Sequence, residues 1–565
     1  MIAAAALAVS AIVASSRTLP EVADTPEAGH EPEAPKHEFR GAWLATVYGI
    51  DWPSTTGTTQ AVAEAQQREL RSILDVLKSA GINAVMFQVR SMSDAMYKSS
   101  YEPWSAYLTG KRGEAPAAGW DPLQFAINEA HARGMELHAW VNPFRLSNSG
   151  APAPIKSARG HSTFDPATKG WVISFGQTDP AAKPKTSSRK KGRKKGRPAK
   201  VPVRKKWVSI LDPGNPGARE HIVKVCREIV TSYDVDGLVF DDYFYPDRLP
   251  LGEDYDFAEY QRELSKNPSD SLSQADWRRS NVARTIRMVG EMINREKPWV
   301  RFGVSPAGVA GGNGVAAAKF GLEPPSVGHD WMYDRIFCDP IQWLDEGSVD
   351  YVSPQLYWAS SHSTNPYLPL AQWWGATAAH FGRHCYPSQK ILALDAGEAA
   401  WREQETQVAA NRTHSGQRCA GSIFYSAAHL TGKKASGLGP VLAGGVYSTC
   451  ALMPPMEWKE ADNPGAVTNL RLKGDRLTWH HPTASGHSGK TSGANRIRYV
   501  VYAVPDDVSA FDALSASGAN FRGEYIVGIT DSPSFVLPTD RRKGFWYAVA
   551  PYDRYGNEWE AQIVK

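Results

Sequence analysis

Between residues 39 and 450 the chain alternates short apolar runs with helical patterns eight times, and few folds accept that rhythm. Phe39 to Val47 reads as a first strand. Residues 60 to 80 set Leu70, Ile73, Leu74 and Leu77 on one helical face and stop at Gly81, a C-terminal signal. Ala84 to Arg90 is the second strand, and Asp121-Pro122 opens a helix with an N-cap and a proline at its first position. Glu136 to Pro143 is the third strand; Asn215-Pro216 opens the helix that feeds the fourth, whose apolar run Leu238 to Phe240 leads into Asp241-Asp242 and which Pro246 ends. Arg301 to Gly308, Asp350 to Trp358, Lys390 to Gly397 and Gly421 to Ser426 complete the set, with helices expected near 274–297, 340–346, 370–382 and 401–413. This order predicts an α/β chain folded as a (β/α)8 TIM barrel. An open doubly wound sheet competes, but no Gly-rich phosphate fingerprint follows the first strand.

The flanks differ in kind. Residues 1–16 are rich in Ala, Val and Ile and end near Ala14-Ser15-Ser16, the pattern of a secretory signal; 17–36, rich in Pro, Glu and Ala, reads as a disordered tether. The run is too short to span a bilayer and no other stretch looks transmembrane, so an exported protein of the periplasm or cell envelope is expected. Five scattered cysteines lack metal-type spacing, which argues against zinc and against a disulfide scaffold while leaving one bridge open. Residues 183–206 hold 13 Lys/Arg and no acid; without them the formal charge of +4 would be −9. Such a run is solvated, and contact with an anionic polymer is its expected use. Beyond Pro454-Pro455, residues 456–565 alternate as strands without helices, predicting a small all-β sandwich that resembles a fibronectin type III module, with a spacing or docking role. The barrel then occupies 37–455. A monomer is expected, without a nucleic-acid partner or cofactor.

In parallel α/β folds chemistry sits where strands end at their carboxyl side. There the fourth strand ends in Asp241-Asp242, followed by Tyr243, Phe244, Tyr245 and Pro246. An unpaired carboxylate out of water costs several kcal/mol, about 2–7 even for a neutral polar group, so the rim of a cleft is the favourable place for such a pair. The other strand ends place Arg90 and Asp94, Asn142 and Arg145, Gln355, Tyr357 and Trp358, and Asp395 on the same rim. Carboxylates among amides, Arg and aromatics suit glycosidic cleavage, in which one acid protonates the leaving oxygen and a second carboxylate attacks or activates water. Alternation puts Val239, Asp241 and Tyr243 on one face and Phe240, Asp242 and Phe244 on the other. The layout resembles the fourth strand of α-amylase-type barrels, whose final Asp is the nucleophile, which makes Asp241 the inward residue and Asp242 its orienting or binding neighbour. Asp395 is the first candidate for the second carboxylate, followed by Asp242 and Asp94. Arg90, Asn142, Arg145, Tyr243, Tyr245, Gln355, Tyr357 and Trp358 are expected to bind substrate. No His/Cys cluster for a metal, Ser-His-Asp arrangement or phosphate loop accompanies them.

Phe39-Arg-Gly-Ala-Trp43, Asn83 to Arg90, Ala139-Trp-Val-Asn-Pro143, Asp236 to Pro246 and Asp350 to Trp358, in this order, resemble the bacterial glycosyl hydrolase-like 10 family. The resemblance implies a (β/α)8 barrel, export to the envelope and hydrolysis of a glycan. It includes a divisome-associated glycosidase acting on peptidoglycan strands stripped of their stem peptides, which makes that glycan the expected substrate. Asp241 and Asp242 carry over as site members; Asp395 does not, and the basic insert departs from the pattern. A carbohydrate-binding barrel without turnover is the competing expectation.

Overall fold

The structure, a computed structural model, describes residues 35–150, 152–178, 205–266, 268, 272–310, 314–326, 331–391, 397–413, 419–432, 437–481, 496–515 and 520–565. The expected signal segment, nearly all of the tether, most of the basic insert and Asp395 lie outside the described residues.

Eight parallel strands form the barrel: β1 (Phe39–Leu44), β2 (Ala84–Arg90), β3 (Glu136–Val141), β4 (Gly237–Phe240), β5 (Arg301–Val304), β6 (Tyr351–Val352 and Gln355–Leu356), β7 (His384–Cys385 and Ser388–Lys390) and β8 (Gly421–Tyr425). Each pairs with the next, and β1 runs beside β8 with Phe39 opposite Gly421 and Ala42 opposite Phe424, so the sheet closes on itself. Around it lie α1 (Gln60–Ser79), α2 (Pro122–Ala132), α3 (Pro216–Ser232), α4 (Gln274–Glu296), α5 (Pro340–Asp345), α6 (Tyr367–His380), α7 (Gly397–Thr413) and α8 (Leu438–Gly444). Their starts follow local chemistry. Thr59, Asp121, Asn215, Ser273 and Asp339 each accept a hydrogen bond from a first-turn N–H, and proline occupies the first turn of α2, α3 and α5.

Alternation along the strands sorts the core. Phe39, Trp43, Met86, Trp140, Val239, Tyr351, Tyr386 and Ile423 fill the barrel, whereas Leu44, Phe87, Leu137, Leu238, Phe240 and Phe302 face the helices. A Cβ at Gly303 would lie 2.1 Å from the Tyr351 ring, so glycine there makes room for an inward aromatic. Among the five cysteines, all free, Cys385 and Cys419 approach to 4.0 Å.

Three strands differ from expectation. The sixth breaks at Ser353-Pro354, because proline cannot donate to the ladder. The seventh lies earlier than the apolar run after Lys390: its pairing partners fix it at His384–Cys385 and Ser388–Lys390. The polar residues that hid it find partners on both sides of the sheet, Ser388 Oγ accepting from the inward Trp43 Nε1 at 2.9 Å and Gln389 Nε2 donating to the Tyr367 hydroxyl of α6. The fifth strand also stops at Val304, before Pro306.

The C-terminal strands β9 (Thr468–Lys473), β10 (Arg476–His480), β11 (Arg498–Pro505), β12 (Ile526–Thr530), β13 (Ser534–Val536), β14 (Phe545–Tyr552) and β15 (Gln562–Val564) form two antiparallel sheets, β9-β10-β13 and β12-β11-β14-β15. Leu477, Trp479, Tyr499, Val501, Tyr547 and Val549 pack between them. The other face of the four-stranded sheet, with Val500, Tyr502, Ala548 and Tyr552, joins the apolar cluster at the amino-terminal end of the barrel. Ions reinforce the seam: Glu136 meets His138, Arg301 and Arg498 at 3.2, 3.7 and 3.3 Å, and Arg554 reaches Asp234 at 2.5 Å. Burial works to raise the Glu136 carboxyl, but these cations and His138 hold it below the ordinary range. The sandwich is thus seated beneath the barrel floor, and the carboxyl-terminal mouth stays clear of it. Glu136→Ala, which leaves Arg301 and Arg498 buried without their anion, should lower the unfolding free energy in urea by about 3–5 kcal/mol.

Candidate functional site

The geometry of the mouth follows from where β4 ends. Phe240 is its last residue, so Asp241 continues the inward face of Val239 just past the ladder. Only 4% exposed, its carboxylate is held from the neighbouring strand: Trp140 Nε1 donates to Oδ2 at 3.1 Å and Asn142 Nδ2 donates to the same oxygen. Tyr243 N–H approaches Oδ1 at 3.4 Å. Burial pushes the Asp241 carboxyl up to about 7; Arg145 opposes the shift and the adjacent Asp242 adds to it.

Asp242 turns the other way, into a cavity of about 390 Å³ lined by Ala307, Gly308, Val309, Trp331, Met332, Gln355, Tyr357, Trp358 and Asn365. Burial raises its carboxyl as well, and the side-chain hydrogen bond from Gln355 pulls it back. Gln355 is itself fixed by donation from Nε2 to the Ser305 carbonyl at 3.0 Å. Trp358 packs so closely that a Cβ on Gly308 would fall 2.5 Å from its ring. Tyr357 lies 5.6 Å from Tyr425, and burial holds its hydroxyl well above the usual phenol range, so it remains a donor.

The expected residues do not all meet at one place. Asp242, Gln355, Tyr357 and Trp358 share the cavity; Asp241, Asn142 and Arg145 adjoin it, with the Arg145 guanidinium 4.3 Å above the Tyr243 ring and its Nε donating to the Ser91 carbonyl. Tyr243 stands at the rim, about half exposed. Arg90 and Tyr245 point elsewhere. Arg90 is wholly buried, paired through two 2.7 Å hydrogen bonds with Glu102 and donating to the Asn142 and Pro143 carbonyls, so it shapes the loop behind the site. Tyr245 is buried against Phe337 and Arg278. Asp94 accepts from the backbone N–H groups of Ser91 and Met92 and caps that turn. Asp395 lies outside the described residues.

Sequence reasoning overlooked Trp140 and Gln88, although period-two alternation on β3 and β2 aims both inward. Trp331 and Met332 open a helix of only five residues, Trp331–Arg335, and Asn365 comes from a loop, so no periodicity announces this cavity wall. Among the described residues, no three His, Cys, Asp or Glu side chains gather where they could hold a metal ion, and no helix is long and apolar enough to cross a membrane. The arrangement can supply a proton at neutral pH, a second carboxyl 1 residue away, and an aromatic wall against which a sugar ring can stack.

The profile of the family described as glycosyl hydrolase-like 10 matches residues 38–179 and 193–398. The glycosyl hydrolase YngK of Bacillus subtilis (strain 168) is 32% identical over 441 residues, covering 76% of this chain and 75% of the relative. The glycosyl hydrolase DigH of Escherichia coli (strain K12) is 35% identical over 374 residues, 63% of this chain and 75% of the relative. Among solved structures, the PgaB (BpsB) glycoside hydrolase domain from Bordetella bronchiseptica aligns with a TM-score of 0.43 at 12% identity, covering 72% of this chain and 98% of that one.

Because the native state binds a proton at Asp241 that the unfolded chain releases from about pH 4 upward, the ionised group destabilises the fold increasingly up to about pH 7. Asp241→Asn should therefore melt above the parent protein at alkaline pH, with the gap closing as the pH falls from about 7 towards 4.

Proposed function

We propose that this chain, which belongs to the glycosyl hydrolase-like 10 family and is a glycoside hydrolase, acts on glycan of the bacterial cell envelope, above all on peptidoglycan strands that lack stem peptides. The observation that carries the reading is the divergence of Asp241 and Asp242 into two environments. Asp241, buried beside amide and indole donors, keeps a proton up to about pH 7 and suits protonation of the leaving oxygen. Asp242, at the wall of an aromatic cavity, suits the electrostatic or nucleophilic partner at the anomeric carbon. Gln355, Tyr357 and Trp358 would hold the sugar, the amide by hydrogen bonds and the rings by stacking.

The same reading assigns the protein to the envelope, reached by export through residues 1–16, and gives the basic run the task of holding the enzyme near an anionic polymer. Deleting 183–204, which spares the strand Lys205–Leu211, should weaken retention on such a polymer while leaving hydrolysis of short glycans unchanged. Equal retention with and without the run would remove that role.

The decisive assay incubates the protein with intact and with amidase-stripped peptidoglycan and reads released saccharides by mass spectrometry. Release from the stripped strands, lost in Asp241→Asn while glycan binding persists, is the expected result. An undiminished rate in the variant would sink the assignment of Asp241, and silence on both substrates would move the reading to a glycan-binding barrel.

A further inference from the structure

Gln88, on β2, lies wholly buried beneath the mouth and was no part of the site expected from the sequence. Its Oε1 accepts from two backbone N–H groups, those of Thr46 at 3.0 Å and Val47 at 2.9 Å. Two main-chain donors can face only an oxygen, so the orientation of this amide is set by the backbone. Its Nε2 must then point the other way, where it donates to Asn142 Oδ1 at 2.7 Å. With its oxygen engaged, Asn142 turns Nδ2 to Asp241 Oδ2, the oxygen that also accepts from Trp140 Nε1. Each link dictates the next, because donor cannot meet donor.

We propose that Gln88 is the positioning residue of the catalytic pair: anchored by the Thr46 and Val47 N–H groups, it locks Asn142 so that Asp241 Oδ2 is always an acceptor and the exchangeable proton of Asp241 resides on Oδ1. A proton on Oδ2 would set three hydrogens against one oxygen edge and forfeit two donors in a buried place. The relay thereby chooses which face of the carboxyl delivers its proton, which deepens the reading of Asp241 as a catalytic acid. The other polar groups facing Asp241 are Arg145 from the segment after β3, Asp242 and Tyr243 after β4, Tyr357 after β6 and Tyr425 on β8. None of them touches Gln88 in the relay, so exchanging Gln88 isolates its contribution.

The test reads the titration of Asp241 through stability and needs no turnover. Melting temperatures of each protein and its Asp241→Asn counterpart are compared from about pH 4 to 9; the gap opens where the unfolded carboxyl ionises and levels off where the folded one does, and that upper break marks the midpoint of the folded carboxyl's titration. Gln88→Met should raise that midpoint by about one pH unit, since Asn142 is then free to offer its carbonyl to Asp241. Gln88→Glu keeps the acceptor for Thr46 and Val47, removes the donor and should raise it too. In an Asn142→Ala background both shifts should shrink, because the effect runs through Asn142. A midpoint unmoved by either Gln88 substitution, or shifts of equal size without Asn142, would overturn the proposal. Failure to release saccharides would count against the glycosidase reading alone.

Discussion

A closed barrel has no edge, so every inward side chain must be accommodated by the other seven strands, and this constraint organises the molecule. Pairing of Phe39 with Gly421 completes the ring and brings residues from the first and last barrel strands into one interior. The interior fills with unequal pieces, with glycine opposite Tyr351 and paired indoles of Trp43 and Trp140 whose centroids lie 4.9 Å apart. Packing of this density leaves no slack. The carboxylate of Asp241 is consequently taken out of water by its neighbours, and its raised affinity for protons follows from a geometric requirement of the fold.

The two ends of the barrel solve opposite electrostatic problems. At the floor, Glu136 is buried but surrounded by Arg301, Arg498 and His138, so it remains ionised and ties the sandwich to the barrel. At the mouth, Asp241 meets neutral donors from Trp140 and Asn142, which stabilise a carboxylate less than a full countercharge does. The first environment yields a structural anion and the second an acid that titrates near neutrality. One fold therefore contains both outcomes, decided by what stands within hydrogen-bond reach.

The sequence showed the eight-strand alternation, most helix starts and the inward direction of Asp241, because caps, prolines and period-two patterns are local. It misplaced the seventh strand because Cys385-Tyr386-Pro387-Ser388-Gln389 looks polar and broken when read alone. It assigned Arg90 and Tyr245 to the substrate because they follow strand ends, yet Glu102 and Phe337, distant in sequence or on other elements, turn both away. The C-terminal strands read as a module with a spacing or docking role, and the apolar face of Val500, Tyr502 and Ala548 seats their four-stranded sheet against the barrel.

What the sequence alone determined is therefore the kind of fold, the glycosidase family motifs and the pair Asp241-Asp242, all properties of contiguous residues. The tertiary structure decided the environments: that Asp241 sits beneath two donors, that Asp242 faces a cavity walled by Trp331 and Asn365, and that Gln88 stands behind Asn142. The physical reason is that proton affinity and hydrogen-bond direction depend on groups brought close by barrel closure, and their spacing along the chain carries no record of that proximity.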